Sequence, residues 1–382
     1  MKILLDVSAV TQPLSGIGRY GLELAAHLPA QPGVEEVIYL RGDQVQRVFD
    51  PGALEVAGSS GKWRRAIRRT LPYGLVLGPY RQRRARGLAH KLKAYSDYIF
   101  YSPNFSVPPV EGRSVVTVHD LSVFHFPRFH PRDRVNYIRD QIHHSVARAD
   151  RVVTDSEFVR RELLELFGLG PERVVAIPLG VADVFRPRPD RELAPVLDGY
   201  GVRAGQYLLS VGTIEPRKNL AGLLGAYRQL EDSLRSRYPL VIAGAYGWQS
   251  GELLQQIQGM QAAGEVIYLD YIPERDLPAL YAGAALFCYF SFYEGFGLPV
   301  LEAMSSGVPV VYADRSALPE LCAGVGLAAD PDDAPDMHAA LQRALLDGGW
   351  RSSASRQGIA RSDNYRWEQT AASLVAVFGE LA

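Results

Sequence analysis

Cysteine is nearly missing from this chain: Cys288 and Cys322 are the two it has. Two thiols exclude a disulfide framework, and Cys288 lies in the apolar run Ala284-Ala285-Leu286-Phe287-Cys288. Both are therefore expected to be reduced packing residues, and the protein is expected to be cytoplasmic. The opening Lys2-Ile3-Leu4-Leu5-Asp6-Val7 is too short for a leader or a spanning helix. Internal repeats, heptads and low-complexity tracts are missing too, which excludes solenoid and coiled-coil architectures. Also lacking are zinc-ligand spacing, Gly-x-Ser-x-Gly and the Walker pattern. Asp330-Pro331-Asp332 has the Asp-x-Asp spacing that can hold a divalent cation, but ahead of a helix at Ala334 it reads as a turn and cap. Chemistry that needs no metal or other cofactor is the expectation.

What is present describes a globular protein, with 47% apolar and 22% charged residues. Its 382 residues exceed one comfortable core and fit two domains. Net charge is −1, yet residues 1–190 hold 27 Lys and Arg against 20 acids, and residues 191–382 hold 14 against 22. Residues 61–93 contain no acid but eleven cations, from Lys62, Arg64 and Arg65 through Arg86 to Lys91 and Lys93, interleaved with Trp63, Ile67, Leu71 and Tyr80. Such a segment, 62–93, either docks on an anionic membrane surface or forms a solvated helix pair with charged outer faces. Nucleic acid is not an expected partner, since the domain lacks the strongly basic balance of nucleic-acid binders.

Short apolar, β-branched runs alternate with helical patterns from end to end. Ile3-Leu4-Leu5, Val115-Val116-Thr117-Val118 and Arg151-Val152-Val153-Thr154 are examples in the first half, and Tyr207-Leu208-Leu209-Ser210-Val211 and Leu240-Val241-Ile242-Ala243 in the second. Runs without polar alternation are what parallel strands covered on both faces require. Leu220, Leu223, Leu224, Tyr227 and Leu230 give a helical stripe, and residues 367–381 are apolar enough to pack as a helix. The architecture is α/β in both halves, with Arg186-Pro187-Arg188-Pro189-Asp190 as the expected junction.

Open α/β sheets bind ligands beyond the carboxyl ends of their strands, so the residues there carry the chemistry. After the first strand comes Ser15-Gly16-Ile17-Gly18-Arg19, where glycines admit a ligand to the backbone and a helix start favours an anion. After Val118 comes His119-Asp120, and His119 stands out by position alone. After Val211 comes Gly212-Thr213-Ile214-Glu215-Pro216-Arg217-Lys218-Asn219, whose adjacent cations suit a leaving diphosphate. The fourth and most informative stretch is Tyr293-Glu294-Gly295-Phe296-Gly297-Leu298-Pro299-Val300-Leu301-Glu302. It sets two carboxylates around a glycine-flanked turn that opens a helix, with Pro299 suited to the first helical position and Gly307 to the stop. As a bare spacing, two glutamates mean little. Joined to Gly295, Gly297 and Pro299, they suggest a ligand with hydroxyls on either side of its phosphates, such as a nucleotide sugar.

In this order along nearly the whole chain, with Thr154-Asp155-Ser156-Glu157-Phe158 between, these motifs resemble the GT-B-fold retaining glycosyltransferases of family 4. The resemblance implies two Rossmann-like domains with mostly parallel sheets facing a central cleft. Residues 1–188 would form the acceptor side and 200–364 the nucleotide-sugar side, with a C-terminal helix at about 365–382 returning to the first. It implies further that Glu302 holds the ribose hydroxyls, and that Glu294 with the backbone of Gly295, Phe296 and Gly297 holds the sugar. Arg217 and Lys218 would grip the diphosphate, aided by Gly212 and by the helix beginning at Leu298. Tyr271 and Ile272 would lie beside the base, His119 near the reacting carbon, and Gly16, Gly18, Arg19 and Ser156 along the acceptor. Gly-Thr-Ile-Glu-Pro-Arg-Lys-Asn and His-Asp-Leu-Ser-Val-Phe-His-Phe-Pro look most like bacterial mannosyltransferases that build O-antigen or exopolysaccharide from GDP-mannose. A lipid-diphosphate-linked or oligosaccharide acceptor and peripheral membrane binding agree with the basic segment. Open alternatives are a UDP-sugar donor, an epimerase of related fold and a non-catalytic nucleotide-sugar-binding module.

Overall fold

A computed structural model describes residues 1–12, 14–51, 87–248 and 251–382. Most of the basic segment, residues 62–86, falls outside the described residues. At its described end, Lys91 pairs with Asp43 at 3.1 Å and Lys93 with Glu111 at 2.6 Å.

The chain divides into two compact units. The first comprises Met1–Phe124, Arg132–Leu179 and Trp367–Ala382. Its strands are β1 (Lys2–Asp6), β2 (Glu36–Arg41), β3 (Gln44–Gln46), β4 (Ile99–Ser102), β5 (Ser114–Val118), β6 (Arg151–Thr154) and β7 (Val174–Ala176). They lie in the order β3-β2-β1-β4-β5-β6-β7, parallel apart from the β2–β3 hairpin. Every residue of β5 is buried, as a strand covered on both faces must be. Register fixes what emerges at the carboxyl edge: Val118 of β5 lies opposite Thr154 of β6, so the next residues, His119 and Asp155, leave the sheet side by side.

The C-terminal helix Trp367–Gly379 belongs to this unit. Trp367 meets Tyr20 at 6.0 Å, Phe378 meets Tyr101 at 5.2 Å between ring centres, and Thr370 Oγ1 donates to the Pro178 carbonyl at 2.8 Å.

The second unit comprises His125–Pro131 and Gly180–Arg366, so Arg186-Pro187-Arg188-Pro189-Asp190, read above as the junction, lies within it. Its strands β8 (Leu208–Val211), β9 (Leu240–Ala243), β10 (Val266–Leu269), β11 (Leu286–Tyr289), β12 (Val310–Ala313) and β13 (Leu327–Ala329) form an all-parallel sheet ordered β10-β9-β8-β11-β12-β13. The stripe predicted after β8 is helix Leu220–Arg228, burying Leu220, Leu223, Leu224, Ala226 and Tyr227. Both cysteines are buried and unpaired, and burial raises both thiols far above the usual range. No helix among the described residues is long and apolar enough to cross a membrane.

Candidate active site

In the second unit the loops after β8, β9 and β11 converge at the carboxyl edge of the sheet. Gly244, directly after β9, has φ +155°, and a Cβ on it would lie 2.0 Å from the Gly212 carbonyl oxygen. Glycine is therefore required there, and the β8 loop packs tightly on its neighbour. After Gly212 the chain runs through a short 3-10 turn, Pro216–Lys218, to Asn219 at φ +50°. Asn219 is buried, and its side-chain amide donates to the Pro331 carbonyl at 2.8 Å. That bond anchors a left-handed residue in the turn that aims the two preceding cations.

Arg217 and Lys218 share one carboxylate. Arg217 Nη1 donates to Glu294 Oε2 at 3.0 Å and to the Tyr293 carbonyl at 2.6 Å, while its Nε and Nη2 reach Glu215 Oε1 at 3.1 and 2.7 Å. Lys218 Nζ donates to Glu294 Oε1 at 2.7 Å and to the Tyr289 hydroxyl at 2.5 Å. The Arg217 and Lys218 side chains are only 14% and 12% exposed, which rules out two cations simply solvated at the surface. Two positive and two negative groups balance, as burial of charge demands.

Burial opposes ionisation of Glu294, but the charges of Arg217 and Lys218 outweigh it and hold the carboxyl at about 2. Lys218 is lowered, mainly by burial and also by Arg217, with Glu294 offsetting part of it. Lys218 lines a small recess with Ser210, Gly212 and Tyr289.

Glu294 N donates to Ser316 Oγ at 2.9 Å, and its carbonyl accepts from Ala317 N, so the turn before the helix is held from outside. Gly297, at φ +111°, caps helix Leu298–Ser305. The helix begins at Leu298, which puts Pro299 in the second position, where its missing N–H still costs no intrahelical bond. Glu302, in the second turn, is 6% exposed. Phe296 is buried, with its ring edge against Tyr365, so it has only backbone to offer a ligand. Tyr271 is 56% exposed just beyond β10, with Ile272 beside it partly buried. Upstream of Glu294, the His125–Pro131 segment supports the loop: Phe129 stacks on Phe292 at 5.6 Å, and Trp248 Nε1 donates to the Phe129 carbonyl at 2.6 Å.

In the first unit His119 Nδ1 lies 2.7 Å from Asp155 Oδ2, and Nε2 lies 2.9 Å from the Pro103 carbonyl. Tyr20, in helix Gly16–His27, sets its ring edge-on to the imidazole at 5.0 Å. Ser15 caps that helix by accepting from Gly18 N at 3.1 Å, and Arg19 N returns to the Ser15 carbonyl. Gly16 has open space where a Cβ would be, whereas one on Gly18 would stand 3.1 Å from the Ala9 carbonyl oxygen. Ser156 is buried and caps helix Glu157–Phe167, its Oγ accepting from Val159 N at 3.2 Å.

Thus Gly212, Arg217, Lys218 and Glu294 form one cluster and His119 another. Sequence reasoning missed Asp155, Glu215 and Tyr289. Glu215 and Asp155 both lie inside motifs named above without a role of their own, and the role of Asp155 follows from strand register only once the β5–β6 pairing is known. Asp330 and Asp332 both pair with Arg315, and the helix cap is Asp333. Among the described residues no group of three His, Cys, Asp or Glu is arranged to hold a metal ion.

The family model described as Glycosyltransferase Family 4 matches residues 14–185, and that described as Glycosyl transferases group 1 matches residues 203–361. O-antigen chain mannosyltransferase B of Escherichia coli is 40% identical over 372 residues, covering 96% of this chain and 97% of that protein. Serotype-specific mannosyltransferase WbdA of Escherichia coli is 30% identical over 240 residues, 61% of this chain and 29% of WbdA. Among solved structures, sucrose-phosphate synthase from Thermosynechococcus elongatus superposes with a TM-score of 0.72 at 19% identity, covering 100% of this chain and 99% of that one.

Proposed function

The chain belongs to glycosyltransferase family 4 and is a GT-B glycosyltransferase, and from that premise we propose that it moves mannose from GDP-mannose onto a lipid-linked or saccharide acceptor during synthesis of a bacterial surface polysaccharide. The observation that carries the chemistry is the buried pair Arg217 and Lys218 beyond β8, held by Glu294 beside the start of helix Leu298–Ser305. The choice of sugar and pathway is supported by the two mannosyltransferase relatives.

In this reading the donor diphosphate lies against Arg217, Lys218 and the helix start, where Gly212 leaves room, and the two cations stabilise the charge that develops as the glycosidic bond breaks. Glu302 takes the ribose hydroxyls. Glu294 and the backbone of Gly295, Phe296 and Gly297 take the sugar, Tyr271 and Ile272 flank the base, and His119 donates a hydrogen bond to the sugar. Gly16, Gly18, Arg19 and Ser156 border the acceptor.

Both Glu294 oxygens are engaged by cations and its carboxyl is held near 2, so it is suited to be neither nucleophile nor proton donor. A front-face displacement then accounts for retention. The acceptor oxygen bonds to the anomeric carbon on the side from which the diphosphate leaves, and the departing phosphate oxygen takes the acceptor proton. Positioning and charge stabilisation do the rest. Arg217 and Lys218 place two cations at the proposed diphosphate site, and in this reading turnover needs no metal. The eleven cations of residues 61–93 support peripheral binding at an anionic membrane surface.

Calorimetric titration with GDP and, separately, UDP, both with chelator, tests the donor: selective GDP binding is expected, and selective UDP binding would overturn the mannose assignment. Transfer of labelled mannose from GDP-mannose to a lipid-linked saccharide is the direct assay. Flotation with anionic vesicles, lost at high salt, is the expected outcome for the basic segment.

A further inference from the structure

We propose that Asp155 is the positioning residue for His119, fixing the imidazole as a hydrogen-bond donor through Nε2. The catalytic consequence rests on the donor-sugar role given to His119 above; the positioning itself does not.

Strand register brings the two residues together. β5 and β6 place Val118 opposite Thr154, and the two residues that follow emerge as neighbours at the ligand-binding edge of a parallel sheet. His119 Nδ1 and Asp155 Oδ2 stand 2.7 Å apart, within the range of a charge-assisted hydrogen bond. The Asp155 side chain is 4% exposed and that of His119 is 14% exposed.

The other ring nitrogen settles the chemistry. Nε2 is 2.9 Å from the Pro103 carbonyl, and a carbonyl oxygen only accepts, so Nε2 carries a hydrogen. The proton between Nδ1 and Oδ2 then belongs to the pair: an imidazolium beside a carboxylate, or a neutral imidazole accepting from a carboxylic acid. In both forms His119 carries an N–H at Nε2, which the Pro103 carbonyl accepts in this structure and which a sugar oxygen must share or take over, and in neither form does it have a free lone pair. It is built to donate and cannot serve as a general base through Nε2.

Three further observations bear on the pair. Asp155 Oδ1 is buried and has no hydrogen-bond partner among the described residues, so the carboxylate depends on His119 for its neutralisation. Tyr20 meets the imidazole edge-on, while its hydroxyl is bound 2.7 Å from that of Tyr101, which is 2.7 Å from Thr117 Oγ1. The groups facing the ring are thus Asp155, Asp120, whose Oδ1 accepts from Ser122 N and Oγ, and Tyr20. Burial alone would lower His119; the Asp155 and Asp120 charges and the hydrogen bonds outweigh it and raise the group above its ordinary 6.5.

The test is an NMR pH titration of the full-length protein carrying isotope-labelled histidine, with His119→Gln identifying the resonance. In the wild type His119 should hold its second proton to a higher pH than an ordinary histidine and keep hydrogen on Nε2 throughout. In Asp155→Asn its midpoint should fall below the wild-type value, and kcat should drop roughly 10- to 100-fold, the range a charge-assisted hydrogen bond supports, with a smaller change in donor KM. Asp155→Ser, which leaves room for water, should move the titration the same way.

A wild-type His119 that titrates at or below the ordinary midpoint, with Nε2 unprotonated, overturns the inference without any variant. So does a midpoint that stays put in both substitutions. If the titration shifts as expected but neither His119→Gln nor Asp155→Asn slows transfer, the positioning is upheld and the donor-sugar role of His119 is what fails.

Discussion

Glu294 Oε1 lies 2.7 Å from Lys218 Nζ, and the lysine has brought its ammonium there although burial makes the charge costly. With Arg217 on Oε2, a single carboxylate holds two cations at the spot proposed for the donor diphosphate. The arrangement is preorganised: the cations are locked by Glu294, Glu215 and Tyr289, so little rearrangement is needed when charge develops on a leaving group.

Lys218→Ala removes a fixed charge while leaving Arg217 and the helix start in place. Transfer should slow on the order of 10²-fold in kcat, the usual cost of losing one preorganised charge stabiliser. Steady-state kinetics with donor and acceptor measure it, and near-normal turnover would refute the role.

Glu294→Gln keeps the shape of the turn but leaves Arg217 and Lys218 sharing only Glu215. The wild-type carboxyl is held at about 2, below the 4.5 of an ordinary glutamate, so its contribution to stability is fully present above about pH 4.5 and fades as pH falls toward 2. Wild type should therefore exceed Glu294→Gln in Tm at neutral pH, by an amount worth a few kcal/mol, and the gap should close on acidification. Paired melting curves down the pH scale read this directly. A gap that stayed constant would show that the stability effect is not ionic.

Glu302→Ala should raise donor KM and leave kcat at saturating donor nearly unchanged, the signature of uniform binding. Its position in the second turn of helix Leu298–Ser305, 6% exposed, suits binding of a part of the donor that does not react. An unchanged KM with a depressed kcat would move Glu302 to the reaction centre.

Much of this was legible in the residues because it is written in short-range terms. Unbroken apolar runs gave eleven of the thirteen strands among the described residues, and the Gly-Thr-Ile-Glu-Pro-Arg-Lys-Asn and Glu-x7-Glu motifs gave the cation pair and the helix start. The edge strands β3 and β13 were not read. Gln44-Val45-Gln46 is mostly polar and forms an antiparallel hairpin, and Leu327-Ala328-Ala329 lacks β-branched residues, so neither carries a buried-strand pattern. Asp155 and Tyr289 were missed for a different reason: each gains its meaning from a residue on another strand or loop, at a distance only register supplies. The mutual ion pairing of Glu294 with both cations belongs to the same class, since residue types alone leave open whether Arg217 and Lys218 are solvated.

Gly297 tests whether the helix start itself matters. Its φ of +111° is a conformation L side chains rarely adopt, and a Cβ there would stand 2.7 Å from Leu318 Cδ2 and 3.3 Å from Leu321 Cδ1. Gly297→Ala therefore combines backbone strain of about 1–3 kcal/mol with a clash against buried leucines, and Tm should fall accordingly. If the chain relieves the strain by shifting the first turn, the N–H groups near Leu298 also move, and donor affinity should weaken together with stability. Gly225 supplies the control: in mid-helix Leu220–Arg228 it has nothing within 4 Å of a built Cβ, so Gly225→Ala should stabilise by roughly 0.5–1 kcal/mol and leave donor binding alone. A Gly297→Ala protein that melts lower yet binds GDP as tightly as wild type would show that the turn is needed for folding and that the helix start is not where the diphosphate sits.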